Sequence, residues 1–240
     1  MGMKFSLQYV LFACVLVGLS VALAISPAQD AGLPLLDANQ SSETPTIVLD
    51  AGHGGEDSGA VGKTGVYEKD INLAVCLLLA DLFREKGYTV VLTRTEDKLL
   101  YTPEQNIYGQ RKAYDLRNRH LIAEECENAI LVSIHVNSYP SAKYSGLQVW
   151  YGQSSPLSKD IAKCIQEEVK NTLQPQNNRN TKQASSDIYL LYRSTHPAVL
   201  VECGFLSNVE ECEKLSDQAY QKELSFAIFC GILKGMGVSN

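Results

Sequence analysis

The chain has 240 residues, is 45% hydrophobic and carries a formal charge of −6. That length suits one ordinary domain with an N-terminal appendage, and the apolar content can fill a real core. The acidic balance, with no basic patch or arginine stripe, argues against a general nucleic-acid binder, which needs an excess of cations.

Residues 5–25 are almost wholly apolar behind Lys4, and Ala22-Leu23-Ala24 offers small residues for cleavage. The segment reads as an export signal, with an uncleaved membrane anchor as the alternative, because it is long enough to span. Either reading places the rest of the chain outside the cytoplasm. Residues 26–45, rich in Pro, Ala, Ser, Asp and Gln, read as a linker, and residues 46–240 as the single folded domain.

From Thr46 onward strand and helix signals alternate. Residues 46–50 form a short apolar strand. Residues 69–86 predict a helix with Ile71, Val75, Leu78 and Leu82 on one face, stopped by Gly87. Residues 88–94 predict a strand, and the polar, Tyr-rich stretch 98–110 a loop. A charged helix is predicted over 111–125, with strands over 129–136 and 146–151. Ser155 and Pro156 mark an N-cap and a first helical position, and Leu157, Ile161, Ile165 and Val169 line one side of the helix that follows. Residues 174–187 read as loop, 188–193 and 198–203 as strands, and 217–234 as the closing helix. This alternation implies an α/β fold, a central, mostly parallel sheet with helices on both faces. Seven cysteines show no CxxC and no disulfide framework; Cys76, Cys164 and Cys230 sit in apolar helical patterns and read as small core residues.

Three predicted strands end in the same way. Residues 46–50 run into Gly52-His53-Gly54-Gly55, residues 129–136 carry Ser133-Ile134-His135-Val136-Asn137, and residues 198–203 carry Val201-Glu202-Cys203-Gly204. In open α/β sheets ligands bind beyond the strand C-termini. His53, His135 and Glu202 can therefore converge there, joined by Glu68 from the start of the first helix. Two imidazoles, one carboxylate and an open position match a catalytic zinc site, and a second carboxylate can carry the proton that amide hydrolysis must move. The expected assignment is His53, Glu68 and His135 on zinc, with Glu202 as general base and acid. Taken singly, His135 also reads as a core histidine and Glu68 as a helix N-terminal carboxylate. Glu202 is harder to explain away, because a carboxylate after four apolar residues is costly without a partner.

His120 lies in a charged helix and reads as part of a solvated face; His196 precedes Pro197 in a turn. Neither is taken as a ligand. Gly62-Lys63-Thr64 mimics the end of a phosphate-binding loop, but Asp57 stands where that pattern needs glycine, and Glu56 and Asp57 would repel phosphates. The segment reads as a turn. Asn72, Arg94 and Asn137 are candidates to line a groove, with a structural role equally open for Arg94.

Five segments carry a family resemblance: Asp50-Ala51-Gly52-His53-Gly54-Gly55, Glu68-Lys69-Asp70-Ile71-Asn72-Leu73, Leu92-Thr93-Arg94, Ser133-Ile134-His135-Val136-Asn137 and the run from Val199 to Asn208. In order and content they resemble the zinc-dependent N-acetylmuramoyl-L-alanine amidases of bacterial cell walls. The resemblance implies zinc on His53, Glu68 and His135, and catalysis by Glu202. It implies cleavage of the amide between the lactyl group of N-acetylmuramic acid and the L-alanine of the peptidoglycan stem peptide. Cys203 departs from the usual aliphatic residue, which alters packing rather than chemistry. Residues 108–119 resemble the spore-forming branch, in which the amidase strips stem peptides from the cortex on the way to muramic-δ-lactam. A general cell-wall autolysin amidase, a non-catalytic wall-fragment binding module of the same fold and a nucleotide-binding protein are the rival readings. The acidic charge gives no steering towards an anionic wall polymer, so an accessory or activating protein is also conceivable.

Overall fold

The structure, a computed structural model, describes residues 44–238. The predicted export segment and nearly all of the predicted linker lie outside the described residues. Among those residues the strands are β1 (Thr46–Ala51), β2 (Val90–Leu92), β3 (Ala129–Asn137), β4 (Gln148–Tyr151), β5 (Lys182–Gln183) and β6 (Ala198–Phe205). The helices are α1 (Glu68–Glu85), α2 (Arg111–Glu124), α3 (Pro156–Thr172), α4 (Tyr189–Arg193), α5 (Val209–Ser216) and α6 (Gln218–Gly235). One sheet holds the strands in the order β2-β1-β3-β6-β4-β5. β1, β2, β3 and β6 run parallel, whereas β4 runs against β6 and carries β5 with it. The expected mostly parallel α/β sheet is what forms.

Both faces of the central strands are buried, so these strands read as continuous apolar runs rather than alternating ones. Successive side chains still go to opposite sides. Ile47, Leu49, Ile130, Val132, Val199 and Val201 pack towards α1, α3 and α6. Val48, Leu131, Ala198 and Leu200 pack on the other side, against Ala123 of α2 and Leu190 and Leu191 of α4. Each such aliphatic side chain contributes roughly 1.5–3 kcal/mol by leaving water. This second face has the smaller apolar cluster, and towards the strand C-termini it turns polar, through Asp50, Ser133, His135 and Glu202.

Several expectations shift. In α1 the buried stripe is Ile71, Val75, Cys76, Leu79 and Phe83, while Leu78 and Leu82 are only half-buried. The sequence predicts a strand over residues 188–193, but 189–193 form the helix α4. The adjacent Leu190 and Leu191 are both buried under one sheet face, which a single helical turn allows and an extended strand, with its alternating sides, does not. Short apolar runs are ambiguous between the two on periodicity alone. α5 falls in a stretch with no assigned element, the two-residue β5 in the stretch 174–187 that reads as loop, and Pro103–Gln105 adds a 3₁₀ turn to the loop after β2. α3 begins as expected, with Ser155 accepting from the Leu157 N–H and Pro156 in the first turn. Gly62-Lys63-Thr64 is a turn, closed by Gly62 N–H to Val66 O and Gly65 N–H to Gly62 O. The six described cysteines are free, and Cys164 is half-buried rather than in the core.

Candidate active site

β1 delivers its chain end beside β3, with Asp50 next to Ser133 and Ala51 next to Ile134. Gly52 follows, and a Cβ there would collide with the His135 ring, so only glycine lets the two segments close up. His53 then adopts φ 63°, a left-handed backbone conformation uncommon outside glycine. Its carbonyl accepts from Arg119 Nη2 at 2.7 Å, which helps hold that conformation. Its Nδ1 lies 2.9 Å from Asp57 Oδ2. An Nδ1–H donated to that carboxylate leaves Nε2 as the free acceptor nitrogen.

Nε2 of His53 lies 3.2 Å from Glu68 Oε1. His135 Nδ1 approaches the same oxygen at 2.9 Å from the far side. Glu68 is itself fixed: Ala60 N–H donates to Oε2 at 2.8 Å, and Val136 N–H and Asn72 Nδ2 donate to Oε1 at 3.1 and 3.3 Å. Burial alone would raise the Glu68 carboxyl, but hydrogen bonds from His135 and His53 hold it well below the usual carboxylate range. Burial alone would lower His53, but its bonds to Asp57 and Glu68 prevail and raise it to about 9. The carboxylates around this ring favour its protonated form, and a bound metal would displace the proton from Nε2.

One ligand atom from each of His53, Glu68 and His135 falls within 4.8 Å of the others. Two neutral imidazole nitrogens and one carboxylate oxygen are donors that suit a zinc-like cation. Asp57 behind His53 supplies the outer partner that metal histidines usually have. The residues therefore fit a divalent metal.

Glu202 stands in register beside His135 on the neighbouring strand. Its Oε2 is sealed from solvent and has no hydrogen-bond partner. Burial, opposed by the two histidines and reinforced by Glu68, pushes its carboxyl up to about 7. All four expected residues thus meet at one rim. A cavity of about 240 Å³ opens beside them, lined by His53, Asp57, Lys112, Leu116, His135 and Leu190 among others.

The remaining candidates separate. Arg94 is buried and donates to the carbonyls of Ala51, Gly52 and Lys69, so it braces the loop and lines no groove. Asn72 is buried too, between Gly52 O and Glu68. Asn137 is half-buried at the rim. His120 is half-buried against the Tyr189 ring rather than solvated, and His196 lies before the start of β6, opposite the rim. Sequence reasoning saw Asp57 only as a charge hostile to phosphate. Its place four residues after His53 in a glycine-rich turn was the available clue. Lys112, which pairs with Asp57 Oδ1 at 2.7 Å, gave no clue at all.

The sequence profile of the N-acetylmuramoyl-L-alanine amidase family Amidase_3 matches residues 47–234. The chain belongs to this amidase family. The germination-specific N-acetylmuramoyl-L-alanine amidase of Bacillus subtilis is 38% identical over 188 residues, 78% of this chain and 78% of that protein. Among solved structures, the CwlD amidase from Clostridioides difficile in complex with the GerS lipoprotein is similar at 45% identity and a TM-score of 0.77, covering 81% of this chain and 100% of that one. The amidase AmiC2 of Nostoc punctiforme follows at 31% identity and a TM-score of 0.69, covering 81% of this chain and 98% of its own. In this amidase the matched segment contains every rim residue described above.

Proposed function

We propose that this amidase hydrolyses the amide between N-acetylmuramic acid and the L-alanine of the stem peptide, that it does so in the spore cortex, and that it works with zinc held by His53, Glu68 and His135 and with Glu202 as proton carrier. The observation that carries the reading is the convergence of three ligand atoms within 4.8 Å beside a carboxylate whose Oε2 lacks any partner. Zinc, when bound, supplies Lewis-acid polarisation of a carbonyl and makes water at the site more acidic.

The chain's own residues do the rest. Asp57 holds the His53 ring so that Nε2 faces Glu68. Glu202 accepts the proton of the attacking water on a carboxylate oxygen. It then donates that proton to the departing nitrogen, which leaves as the amine of L-alanine while the lactyl group becomes a carboxylic acid. A carboxyl pushed up towards neutrality can do both, since neither protonation state is far from reach.

The cortex assignment is supported by the identity to the germination-specific relative and by the resemblance over residues 108–119. An accessory partner is supported by the complex in which the Clostridioides difficile amidase was solved. Work outside the cytoplasm follows from the substrate, with residues 1–25 as export signal or anchor. The decisive experiment is mass analysis of muropeptides after incubation of cortex peptidoglycan with purified protein, with and without zinc. Peptide-free muramic acid and free stem peptide, appearing only with zinc, are expected. Intact muropeptides with zinc present would refute the reading.

A further inference from the structure

The polar strip at the rim continues past Glu202. In the antiparallel pair β6–β4, Gln148 stands directly opposite Glu202, so the two side chains emerge on one face. A bulge between His135 and Asn137 shifts the β3–β6 register and sets Phe205 opposite Asn137, on that same face. Arg179 reaches over both from the loop between α3 and β5. Its Nε donates to Ser145 O at 2.8 Å and its Nη1 to Gln148 Oε1 at 3.0 Å. Its guanidinium lies 4.4 Å from the Phe205 ring centroid and 6.0 Å from that of Tyr144. Gln148 is locked in turn, donating Nε2 to Asn180 O at 2.8 Å.

Among the other cations around the site, Arg94 is buried among backbone carbonyls and Lys143 lies over the Tyr144 ring, while the rest hold carboxylates. Lys69 has Asp97, Arg111 has Glu56, Lys112 has Asp57, and Arg119 has Asp50 and Asp115. Arg179 has neutral carbonyls and ring faces instead. The nearby Glu211 feels its charge, but both Glu211 oxygens are taken by the Gly146 and Phe205 N–H groups. A half-buried guanidinium fixed by neutral partners keeps its charge available and has already lost its rotamer freedom.

We infer that Arg179, seated on Gln148 and Phe205, receives a free carboxylate on the peptide side of the scissile amide. The inference rests on the amidase reading. In the substrate the glycan side offers no free carboxylate there, because the lactyl carboxyl is the one bound in the amide. Strands lie about 4.8 Å apart, and a peptide advances roughly 3.3–3.6 Å per residue. One strand spacing plus a hydrogen bond from Glu202 therefore reaches the second residue of the peptide. Arg179 is a specificity-determining residue that selects peptides whose second residue keeps its carboxylate ionised.

The test uses two muropeptide substrates that differ only in that carboxylate, free or amidated, with the zinc-loaded wild-type protein, Arg179→Met and Arg179→Lys. A charge-assisted hydrogen bond predicts that the wild type favours the free acid by about tenfold to a hundredfold in kcat/KM, mostly through KM. Arg179→Met should erase the preference while cleaving the amidated substrate within a few-fold of wild type, and Arg179→Lys should keep part of it. Equal loss on both substrates in Arg179→Met would make Arg179 a loop brace and overturn the inference. So would a wild type that cleaves both alike. Release from neither substrate by the wild type would overturn the amidase reading together with this one.

Discussion

Two buried charge clusters lie within a few residues of each other on the same sheet face, and they are built on opposite terms. In the first, Asp50 Oδ1 accepts from Thr93 Oγ1 and Arg119 Nη1, both at 2.8 Å, and Oδ2 accepts from Ser133 Oγ at 2.6 Å. Arg119 also donates Nε to Asp115 at 2.7 Å, and its remaining contacts are the carbonyls of Ala51 and His53. That cluster is closed. In the second, two histidines point at one glutamate oxygen, and the neighbouring Glu202 has a sealed oxygen with no partner. That cluster is open, with room for a cation and work for a proton. A buried charge network by itself is therefore no sign of a reaction centre; what sets the second apart is an unmatched carboxylate oxygen beside three convergent ligand atoms. The closed cluster also serves the open one, since Arg119 grips the His53 carbonyl.

The comparison can be broken most severely at Glu202. Glu202→Gln keeps the shape and removes the proposed proton carrier, and kcat should fall by about a hundredfold to ten-thousandfold. Zinc stoichiometry should stay near one per chain by elemental analysis. Undiminished turnover would remove Glu202 from the chemistry. Next comes the closed cluster. Arg119→Met leaves Asp50 buried and uncompensated, which should cost about 3–5 kcal/mol in urea unfolding. A variant as stable as wild type would show that the cluster is not the brace described.

Smaller effects sharpen the contrast. Asp57→Ala should weaken zinc binding by about tenfold to a hundredfold, read in competition with a chromogenic chelator, as loss of an outer partner usually does. Lys112→Ala should change it only a few-fold, because that side chain is largely exposed and water takes its place. The reverse order would assign the orienting role to the wrong residue. The mildest probe is acid. Burial alone would raise the Asp50 carboxyl, but Arg119 and Ser133 hold it below its ordinary value. Such a group adds stability above its unfolded pKa and loses that contribution as pH falls through the folded one. The stability gap between wild type and Asp50→Asn should thus narrow steadily below about pH 4. A gap that widens in acid would contradict the sign.

What could be read from the sequence follows from the same physics. Strands buried on both faces are apolar runs, so polar residues at their ends stand out, and Gly52-His53, His135 and Glu202 were visible for that reason. Their meeting place was legible because parallel strands all present the same end to the crevice. Tyr189–Arg193 was not legible, since two adjacent leucines fit a helical turn or a strand until the sheet beneath them is known. The α1 stripe was misplaced by one position at Leu78 and Leu82 because leucines fill both flanks of that helix. Lys112 and Arg179 act across 55 and 31 residues of chain, to Asp57 and Gln148, and no local pattern encodes such a distance.

The reversed direction of β4 has an outcome for how such a protein can diversify. Because this strand begins at the rim instead of ending there, the connection that enters it, residues 138–147, starts and ends at that rim, and the segment after α3 meets it where Arg179 donates to Ser145 O. Neither stretch supplies a metal-binding side chain or the proton carrier. On the proposed assignment, two surface connections can be rewritten while the candidate centre at the end of β1 and on β3, α1 and β6 stays untouched.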